Sequence, residues 1–571
     1  MENLAIARIF SEIADLLEIK GENPFKIRAY RNAADTIAHA PDRLSACSDE
    51  QLRAISGVGK DLAAKIREIC DTGGARYHRE LLEQFPPTIL DLLHLQGVGP
   101  KTVAQLYTQL GVRTLEELEG ACKDGRVREL KGMGSKKEAL ILKALEERKQ
   151  HSGRHVLPEA ADAAAQLLEY LRGRFPSATF TPVGSVRRGA DTAGDIDILA
   201  TTADASLMAA FTSYPLVERI LGQGDTKSSV RLQGGIQADL RLVPPDSQGA
   251  AMQYFTGSKS HNIALRDRAI GLGFKLNEYG LFRISDGVSV AGGDEPGIYD
   301  ALGLAPIPPE LREGRGEIDA AERRALPVLI ELGDIRGDIH THTTETDGRD
   351  DIQAMALAAR DAGLSYLAIT DHSKALAMAN GLDEHRALAH ARRIREIGDR
   401  VEGITLLAGV ECDIRPDGTM DLADDCLAQL DVVVASVHSV FTQDEEEMTD
   451  RILRAISCPY VDILGHPTGR RLLKREPYKV NVTRMIDAAA AAGVAVEINC
   501  QVDRLDLSDS HAKLACERGA TIVISTDSHD RGGLQRLKWG VLVARRAWLR
   551  RDDVLNTRPV EAFRAGLRRN R

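Results

Sequence analysis

Nothing in this sequence approaches the roughly 18 uninterrupted apolar residues that a membrane-crossing helix needs, so no span is expected. The N-terminus, Met1-Glu2-Asn3 followed by an acidic amphipathic stretch, lacks the basic start and apolar run of a signal peptide. The 8 cysteines, scattered from Cys47 to Cys516, include no Cys-x-x-Cys pair. That excludes a zinc ribbon and a disulfide framework, and reduced thiols in a cytosolic protein are expected. An excess of positive charge is missing too. The 74 Lys and Arg against 84 Asp and Glu leave a net charge of −10, which excludes a uniformly basic nucleic-acid coat but leaves room for a local basic groove. What is present is 571 residues, a length that suggests about four domains, and 43% hydrophobic residues, enough for packed cores and too many for a disordered chain.

Along the chain the pattern changes three times. Residues 1–150 read as short helices between glycine turns, with a recurring motif at Gly57-Val58-Gly59-Lys60, Gly97-Val98-Gly99-Pro100-Lys101 and Gly132-Met133-Gly134. Residues 151–312 place a helix (Glu159–Arg172) before strand-like runs at Phe180–Val183, Ile196–Ala200, Val230–Leu232 and Ala238–Val243. Residues 313–337 are charged and glycine-containing, a connector with helical character expected at Asp319–Leu332. From Asp334 on, seven β-rich runs alternate with helical stretches such as Ile352–Ala362 and Glu384–Ile397. Such alternation implies a parallel sheet, here a closed or nearly closed barrel of about seven strand–helix units.

The residues that follow six of those seven runs carry the strongest signal. They are His340, His342 and Asp347, then His372, Glu411, His438, His466, and finally Asp527 and His529. The C-terminal strand ends of a β/α barrel form its active face, and alternation puts His340 beside His342 and Asp527 beside His529. Imidazole with carboxylate suits zinc, manganese or iron. Nine candidate ligands exceed what one tetrahedral ion takes, so a multinuclear site is expected. The segment resembles the PHP (polymerase and histidinol phosphatase) family. The resemblance implies one ion held by His340, His342, Glu411 and Asp527, a second sharing Glu411 with His438 and His466, and a third on Asp347, His372 and His529. It implies hydrolysis in which Mn²⁺ or Zn²⁺, three ions in all, clamps a phosphodiester and makes hydroxide available near neutral pH.

A second constellation begins at Gly184-Ser185-Val186-Arg187-Arg188 and continues with Gly194-Asp195-Ile196-Asp197. Asp195 and Asp197, two apart in a strand, point to one face, and Asp239 in a neighbouring strand completes a carboxylate triad. Three clustered carboxylates repel one another unless a cation joins them, and Mg²⁺ or Mn²⁺ with substrate phosphates fits an oxygen-only set. These residues resemble the nucleotidyltransferase signature. Tyr254-Phe255-Thr256-Gly257, Asn262, Arg266 and the stretch Gly273–Tyr279 are similar to the thumb of family X DNA polymerases. That resemblance implies two metals on Asp195, Asp197 and Asp239, and assigns Asp239 to activating the primer 3′-hydroxyl. It also implies a triphosphate held by Gly184, Ser185, Arg188 and Gly194, a sugar lined by Tyr254, Phe255 and Gly257, a base touched by Asn262, and template contact by Arg266. It further pairs Arg241 with Glu278.

The N-terminal glycine turns resemble helix-hairpin-helix motifs. In these, backbone N–H groups at a helix start meet a DNA phosphate irrespective of base sequence. Gly57, Gly59, Gly97, Gly99 and Lys101 are the implied contacts. Lys26–Arg31 together with Lys65 resembles the small lyase domain of family X, where the lysine forms a Schiff base with an abasic sugar. A position that is basic in the family pattern is Asp61 here, which weakens 5′-phosphate binding.

As a whole the chain resembles a bacterial or archaeal family X DNA polymerase fused to a PHP nuclease. The expected fold class is multidomain α/β: helical hairpin-rich N-terminal domains, an α+β palm with thumb, and a (β/α)7-type barrel. The expected domains are a lyase-like domain at 1–80, fingers at 81–150, palm at 151–245, thumb at 246–312, linker at 313–333 and PHP barrel at 334–571. The resemblance implies gap-filling DNA synthesis on gapped or primer-template DNA from deoxynucleoside triphosphates, with 3′→5′ exonuclease activity. By the same token it implies abasic-site cleavage and trimming of blocked 3′ ends, in a monomeric, cytoplasmic, nucleoid-associated repair enzyme. The alternative is a DNA-binding PHP nuclease whose palm is inactive.

Overall fold

A computed structural model describes residues 3–38, 44–55, 58–85, 88–93, 95, 98–151 and 153–570. The chain forms two compact units, Met1–Ser152 and Gly153–Arg571.

The first unit is helical. Helices Asn3–Ile19 and Pro24–Ala38 bury Ile6, Phe10, Ile13 and Leu17 against Ile27, Tyr30, Ala34 and Ile37, the three-and-four spacing that puts an apolar stripe on one helical face. Gly59 caps helix Lys60–Thr72 and Gly99 caps Pro100–Leu110, both in extended conformation with no capping side chain. The third turn is built differently: Gly132 and Gly134 are both left-handed (φ 81° and 60°). Gly57 and Gly97 lie outside the described residues.

The second unit opens with helix Leu157–Arg174, whose Ala160, Ala164, Leu167, Leu168 and Leu171 pack on a five-stranded sheet. Its strands are β1 (Thr179–Val183), β2 (Asp195–Thr201), β3 (Val217–Gln223), β4 (Lys227–Leu232) and β5 (Gln237–Leu242), in the order β1-β2-β5-β4-β3. Only β2 and β5 run parallel. Strand β3 was not expected from the sequence. Its residues are almost all exposed, so it lacks the apolar alternation that betrays a half-buried strand. Beyond the sheet come helices Gln248–Thr256 and Lys259–Gly271, a three-stranded antiparallel sheet and helix Glu295–Ala301 around a separate core that includes Leu265, Leu281, Ile298 and Tyr299.

The connector is less helical than expected. Its helix covers Glu317–Glu322 only, and Arg324 turns left-handed (φ 54°). Pro327 disfavours helix at the residue before it, and the extended stretch beyond bonds to the barrel through Ile330 N–H to the Leu549 carbonyl.

The barrel strands are β6 (Gly337–Asp338), β7 (Tyr366–Ile369), β8 (Thr405–Asp413), β9 (Val432–Ser436), β10 (Ile463–Leu464), β11 (Ala495–Asn499) and β12 (Ile522–Ser525), all parallel and in sequence order. A bridge between Thr341 and Ser528 brings the last strand back to the first at the C-terminal rim. Alternation sorts the side chains into two layers. Tyr366, Ala368, Leu407, Val432, Val434 and Val523 fill the interior over Phe563 of the C-terminal helix, while Leu367, Ile369, Leu406, Val433 and Ile524 join the core beneath the outer helices. The interior is plugged by apolar packing, which leaves the opposite rim for polar chemistry. Among the described residues no helix is long and apolar enough to cross a membrane.

Candidate active sites

In β2 the residues alternate: Ile196 and Ile198 are buried in the palm core, so Asp195 and Asp197 face the other way. Asp197 and Asp239 are direct partners across the parallel pair β2–β5. Burial, reinforced by its two carboxylate neighbours, lifts the Asp197 carboxyl to about 6, and burial with Asp239 lifts Asp195 as well. Asp239 goes the other way. Burial acts to raise it too, but hydrogen bonds from Lys227, Gln237 and Ser229 outweigh that, with Lys227 Nζ 2.8 Å from one carboxylate oxygen and Gln237 Nε2 2.9 Å from the other. Two carboxyls short of counter-charge beside a third that a lysine neutralises make an oxygen-only donor set that a divalent cation fits.

A recess of about 740 Å³ lies over these carboxylates, lined by Gly184, Ser185, Arg188, Gly194, Asp195, Asp197, Tyr254, Phe255, Gly257, Asn262 and Arg266. Every residue expected around the nucleotide is therefore in one place, with Asp239 beside Asp197 on the neighbouring strand. Gly184 is irreplaceable on two counts: its φ is 65°, and a Cβ there would stand 2.7 Å from an Asp197 carboxylate oxygen. Arg188 is held on two sides, Nε to Glu313 at 3.0 Å and Nη1 to the Thr256 carbonyl at 2.5 Å. Asn262 donates to the Tyr254 carbonyl (2.7 Å) and accepts from Gln253 (2.8 Å), which fixes its amide toward the recess. Arg154 and Lys259 also line it. Neither stood out in the sequence, because isolated basic residues outside a motif carry no pattern. The expected Arg241–Glu278 pair is not formed among the described residues: Arg241 lies over the Phe255 ring at 4.5 Å, a cation–π contact that takes the guanidinium elsewhere.

The barrel rim gathers all nine expected ligands. His340 Nε2 and His342 Nε2 approach Asp527 at 3.8 and 3.2 Å and Glu411 at 3.4 and 3.7 Å. His438 and His466 reach the same Glu411 at 3.3 and 2.9 Å. His372 and His529 converge on Asp347 at 3.5 and 3.4 Å. The grouping differs in one respect from the expected partition. His372 also faces Glu411 at 2.8 Å and clusters with His438, and His342 clusters with the Asp347 group. Both therefore stand between neighbouring sites.

Buried ligand atoms, among them His340 Nε2, His342 Nε2, His372 Nδ1 and Glu411 Oε2, make no well-aligned hydrogen bond. Such orphans are costly in a protein interior and normal around a metal, so the residues fit bound cations. The protonation pattern agrees. Burial and the charges of His529 and His372 lower His342 to about 4, leaving it a neutral donor. Burial opposes the charging of His372 and His438, but Glu411 and nearby carboxylates overcome it and raise them to about 10 and 9. Two of the expected ligands, His466 and Asp527, have left-handed backbones (φ 26° and 52°).

Two carboxylates behind the expected ligands were not singled out by sequence reasoning. Glu497 accepts from His340 Nδ1 at 2.7 Å and Ser525 Oγ at 2.6 Å, and Asp413 lies 3.1 Å from His438 Nδ1. They set the ring orientation of the histidines they touch. Glu497 is a lone carboxylate in an apolar strand, and Asp413 sits two residues after Glu411 on the same strand, so both left a legible mark. Asp371, beside His372, is no ligand: it accepts from His390 Nε2 and Thr343, both at 2.8 or 2.7 Å, and anchors the turn after His342.

In the first unit, Lys65 lines a recess of about 390 Å³ with Asp61, Arg76 and Tyr77. Its Nζ is 2.7 Å from Asp61 and 5.5 Å from the Tyr77 ring centre. Lys101 is exposed beside Gly99.

Comparison with known proteins draws these parts together. Residues 1–75 match the helix-hairpin-helix domain, 89–147 the SAM-like helix-hairpin-helix tandem, 251–313 the DNA polymerase beta thumb, and 338–501 the PHP domain. A Bacillus subtilis (strain 168) protein named DNA polymerase/3′-5′ exonuclease PolX is 38% identical over 573 residues, covering 100% of both chains. Probable phosphatases of Thermoanaerobacter sp. (strain X514) and Shewanella sp. (strain ANA-3) are 32% and 31% identical over 38% and 39% of this chain, and 89% and 88% of their own. The full-length match, joined to a thumb in the middle and a PHP domain at the end, leaves one conclusion: this chain belongs to the bacterial family X DNA polymerases that carry a PHP domain.

Proposed function

We propose that the chain is a DNA-directed DNA polymerase that fills short gaps during base-excision or gap repair, and that its barrel is a 3′→5′ exonuclease. One observation carries the reading. Asp195, Asp197 and Asp239 sit in register on adjacent strands under a nucleotide-sized recess, while a second donor set of different chemistry crowns the barrel. Mg²⁺ or Mn²⁺ in the palm and Mn²⁺ or Zn²⁺ in the barrel, up to three ions there, would supply charge neutralisation and an ionised nucleophile near neutral pH.

The chain's own residues do the rest. Asp239 takes up the primer 3′-hydroxyl. Ser185, Arg188 and the backbone at Gly184 and Gly194 cradle the triphosphate. Tyr254, Phe255 and Gly257 line the sugar, Asn262 meets the base and Arg266 the template. Gly59, Gly99 and Lys101 meet DNA phosphates at helix starts, and Gly57 and Gly97 are assigned with them by motif. Lys65 is the Schiff-base lysine of a lyase activity, with Asp61 2.7 Å from its Nζ. Abasic-site cleavage and removal of 3′-blocking groups use the same barrel rim, a reading supported by the barrel's likeness to probable phosphatases. The domain partition 1–80, 81–150, 151–245, 246–312, 313–333 and 334–571 and a monomeric state complete the proposal. An inactive palm is disfavoured by the intact triad.

Paired assays on full-length protein test it. Asp197→Ala abolishes extension on a one-nucleotide gap and leaves degradation of a labelled primer intact, and His342→Ala does the reverse. If either substitution removed both activities in folded protein, the two-site assignment would be wrong.

A further inference from the structure

The palm turn that holds the triphosphate does not stand alone. Arg546, the last residue of barrel helix Leu537–Arg546, donates from Nη1 to the Arg188 carbonyl at 2.9 Å and to Glu313 at 2.8 Å. Glu313 in turn pairs with the Arg188 side chain at 3.0 Å. The other end of Arg546 meets Asp509 at 2.8 Å, and Asp509 also takes Arg315 at 3.0 Å. Charges thus alternate along Arg188, Glu313, Arg546, Asp509 and Arg315. Arg546 and Glu313 are 7% and 18% exposed, so water screens the array poorly. One helical turn earlier, Leu542 abuts Gly189, where a Cβ would meet its Cδ2 at 3.4 Å.

We infer that Arg546 is a positioning residue for nucleotide binding: from the barrel, it fixes the Arg188–Gly189 turn and shares the Glu313 carboxylate, so that the Arg188 guanidinium presents its remaining Nη2 edge to the triphosphate. The inference deepens the proposed function and rests on Arg188 as a triphosphate ligand.

The physical argument concerns competition. Glu313 is an anion next to the arginine that must bind another anion. While Arg546 takes part of its charge, Glu313 steers Arg188 without sequestering it. Remove Arg546, and Glu313 is left half-buried with Arg188 as its remaining cationic partner. The pair tightens, the Arg188 carbonyl loses a charge-assisted donor, and the turn is free to drift from the recess. An arginine suits the task because its planar fork reaches a carbonyl, one carboxylate and a second carboxylate at once, which an ammonium cannot. Because the polar partners of Arg546 are Arg188, Glu313 and Asp509, none of them among the nine barrel residues, the effect should fall on synthesis alone.

The test is steady-state gap filling and primer degradation by full-length variants with thermal melting as a fold control. Arg546→Ala is expected to raise the KM for deoxynucleoside triphosphate roughly tenfold, the scale of a lost charge-assisted hydrogen bond, with kcat and exonuclease rate little changed, and Arg546→Lys to fall between. Glu313→Gln, nearly isosteric, keeps the fold if Arg546→Ala does not; it too should raise that KM. In the double variant the effect should be less than the product of the two single effects, since without the carboxylate Arg546 has less to share. An unchanged KM in folded Arg546→Ala, or in Glu313→Gln, overturns the inference, as does an equal loss of synthesis and degradation. Arg188→Ala separates the two layers: if it leaves the KM unchanged, the triphosphate role itself fails; if it raises the KM while Arg546→Ala does not, only the coupling fails.

Discussion

The palm and the barrel solve the same problem, gathering cations around phosphate, with opposite materials. In the palm the donors are carboxylates on two neighbouring strands, half-open to a wide recess, and the charge is unbalanced until something arrives. At the barrel rim the donors are mostly imidazoles at the ends of parallel strands, with His340, His342, His372 and His466 buried, and His340 and His438 are braced from behind by Glu497 and Asp413. We propose that the palm takes ions that come and go with a nucleotide, and the barrel ions that stay. An oxygen-only site binds hard cations loosely and shares them with substrate; a caged nitrogen site binds borderline metals tightly.

The comparison breaks most visibly under chelation. After prolonged chelator treatment and desalting, exonuclease activity should vanish and return only with added Mn²⁺ or Zn²⁺, while synthesis should resume at once with Mg²⁺. Metal analysis of gel-filtered protein, without chelation, should find ions retained in wild type and Asp197→Ala but depleted in His342→Ala. Equal retention in all three would erase the distinction.

A smaller effect comes from Gly184→Ala. The new methyl would press on Asp197 in a backbone conformation that disfavours it, so synthesis should fall about a hundredfold, as for an ångström-scale misplacement of reacting groups. Primer degradation measured on the same preparation should not change.

Acidity sharpens the contrast further. Asp197, raised to about 6 by burial and by Asp195 and Asp239, is ionised at pH 7 and must shed a proton to bind a cation below pH 6. Palm affinity should therefore drop by roughly tenfold per pH unit there, for one displaced proton. The barrel moves in the other range. His372 and His438, held protonated up to about 10 and 9, release protons on metal uptake, so barrel affinity should climb between pH 7 and 9 while the palm stays level. Calorimetric Mn²⁺ titrations of Asp197→Asn and His342→Ala protein at pH 5, 7 and 9 would separate the two. Smallest of all, Lys65→Ala should change gap filling less than about twofold, because the lysine lines a recess of its own with the exposed Asp61, a pair of little energetic weight. Borohydride trapping of an abasic 5′-deoxyribose phosphate should nevertheless be lost.

Much of this was legible from residues alone, for definite reasons. Parallel strands must all end on one rim, so ligands that follow successive strands, His340 through His529, had nowhere else to converge. The spacing of Asp195 and Asp197 named their common face. What escaped was whatever depended on a third dimension without a periodic trace. His372 reaches two carboxylates, Asp347 and Glu411, which no spacing announces. Arg241 prefers a ring to a carboxylate. Strand β3 hides because its side chains meet water on both faces. Arg154, Lys259 and Arg546 acquire meaning only once the chain has folded back on itself.

The left-handed backbones at His466 and Asp527 have a consequence for descent. A non-glycine residue held there costs on the order of 1–3 kcal/mol, and both positions carry side chains of the proposed metal-binding set. A lineage that stopped hydrolysing DNA could drop that tension by putting glycine at either place, gaining robustness as it surrendered chemistry. On that account, losing the proposed rim ligands at these two places would relax the backbone that now holds them.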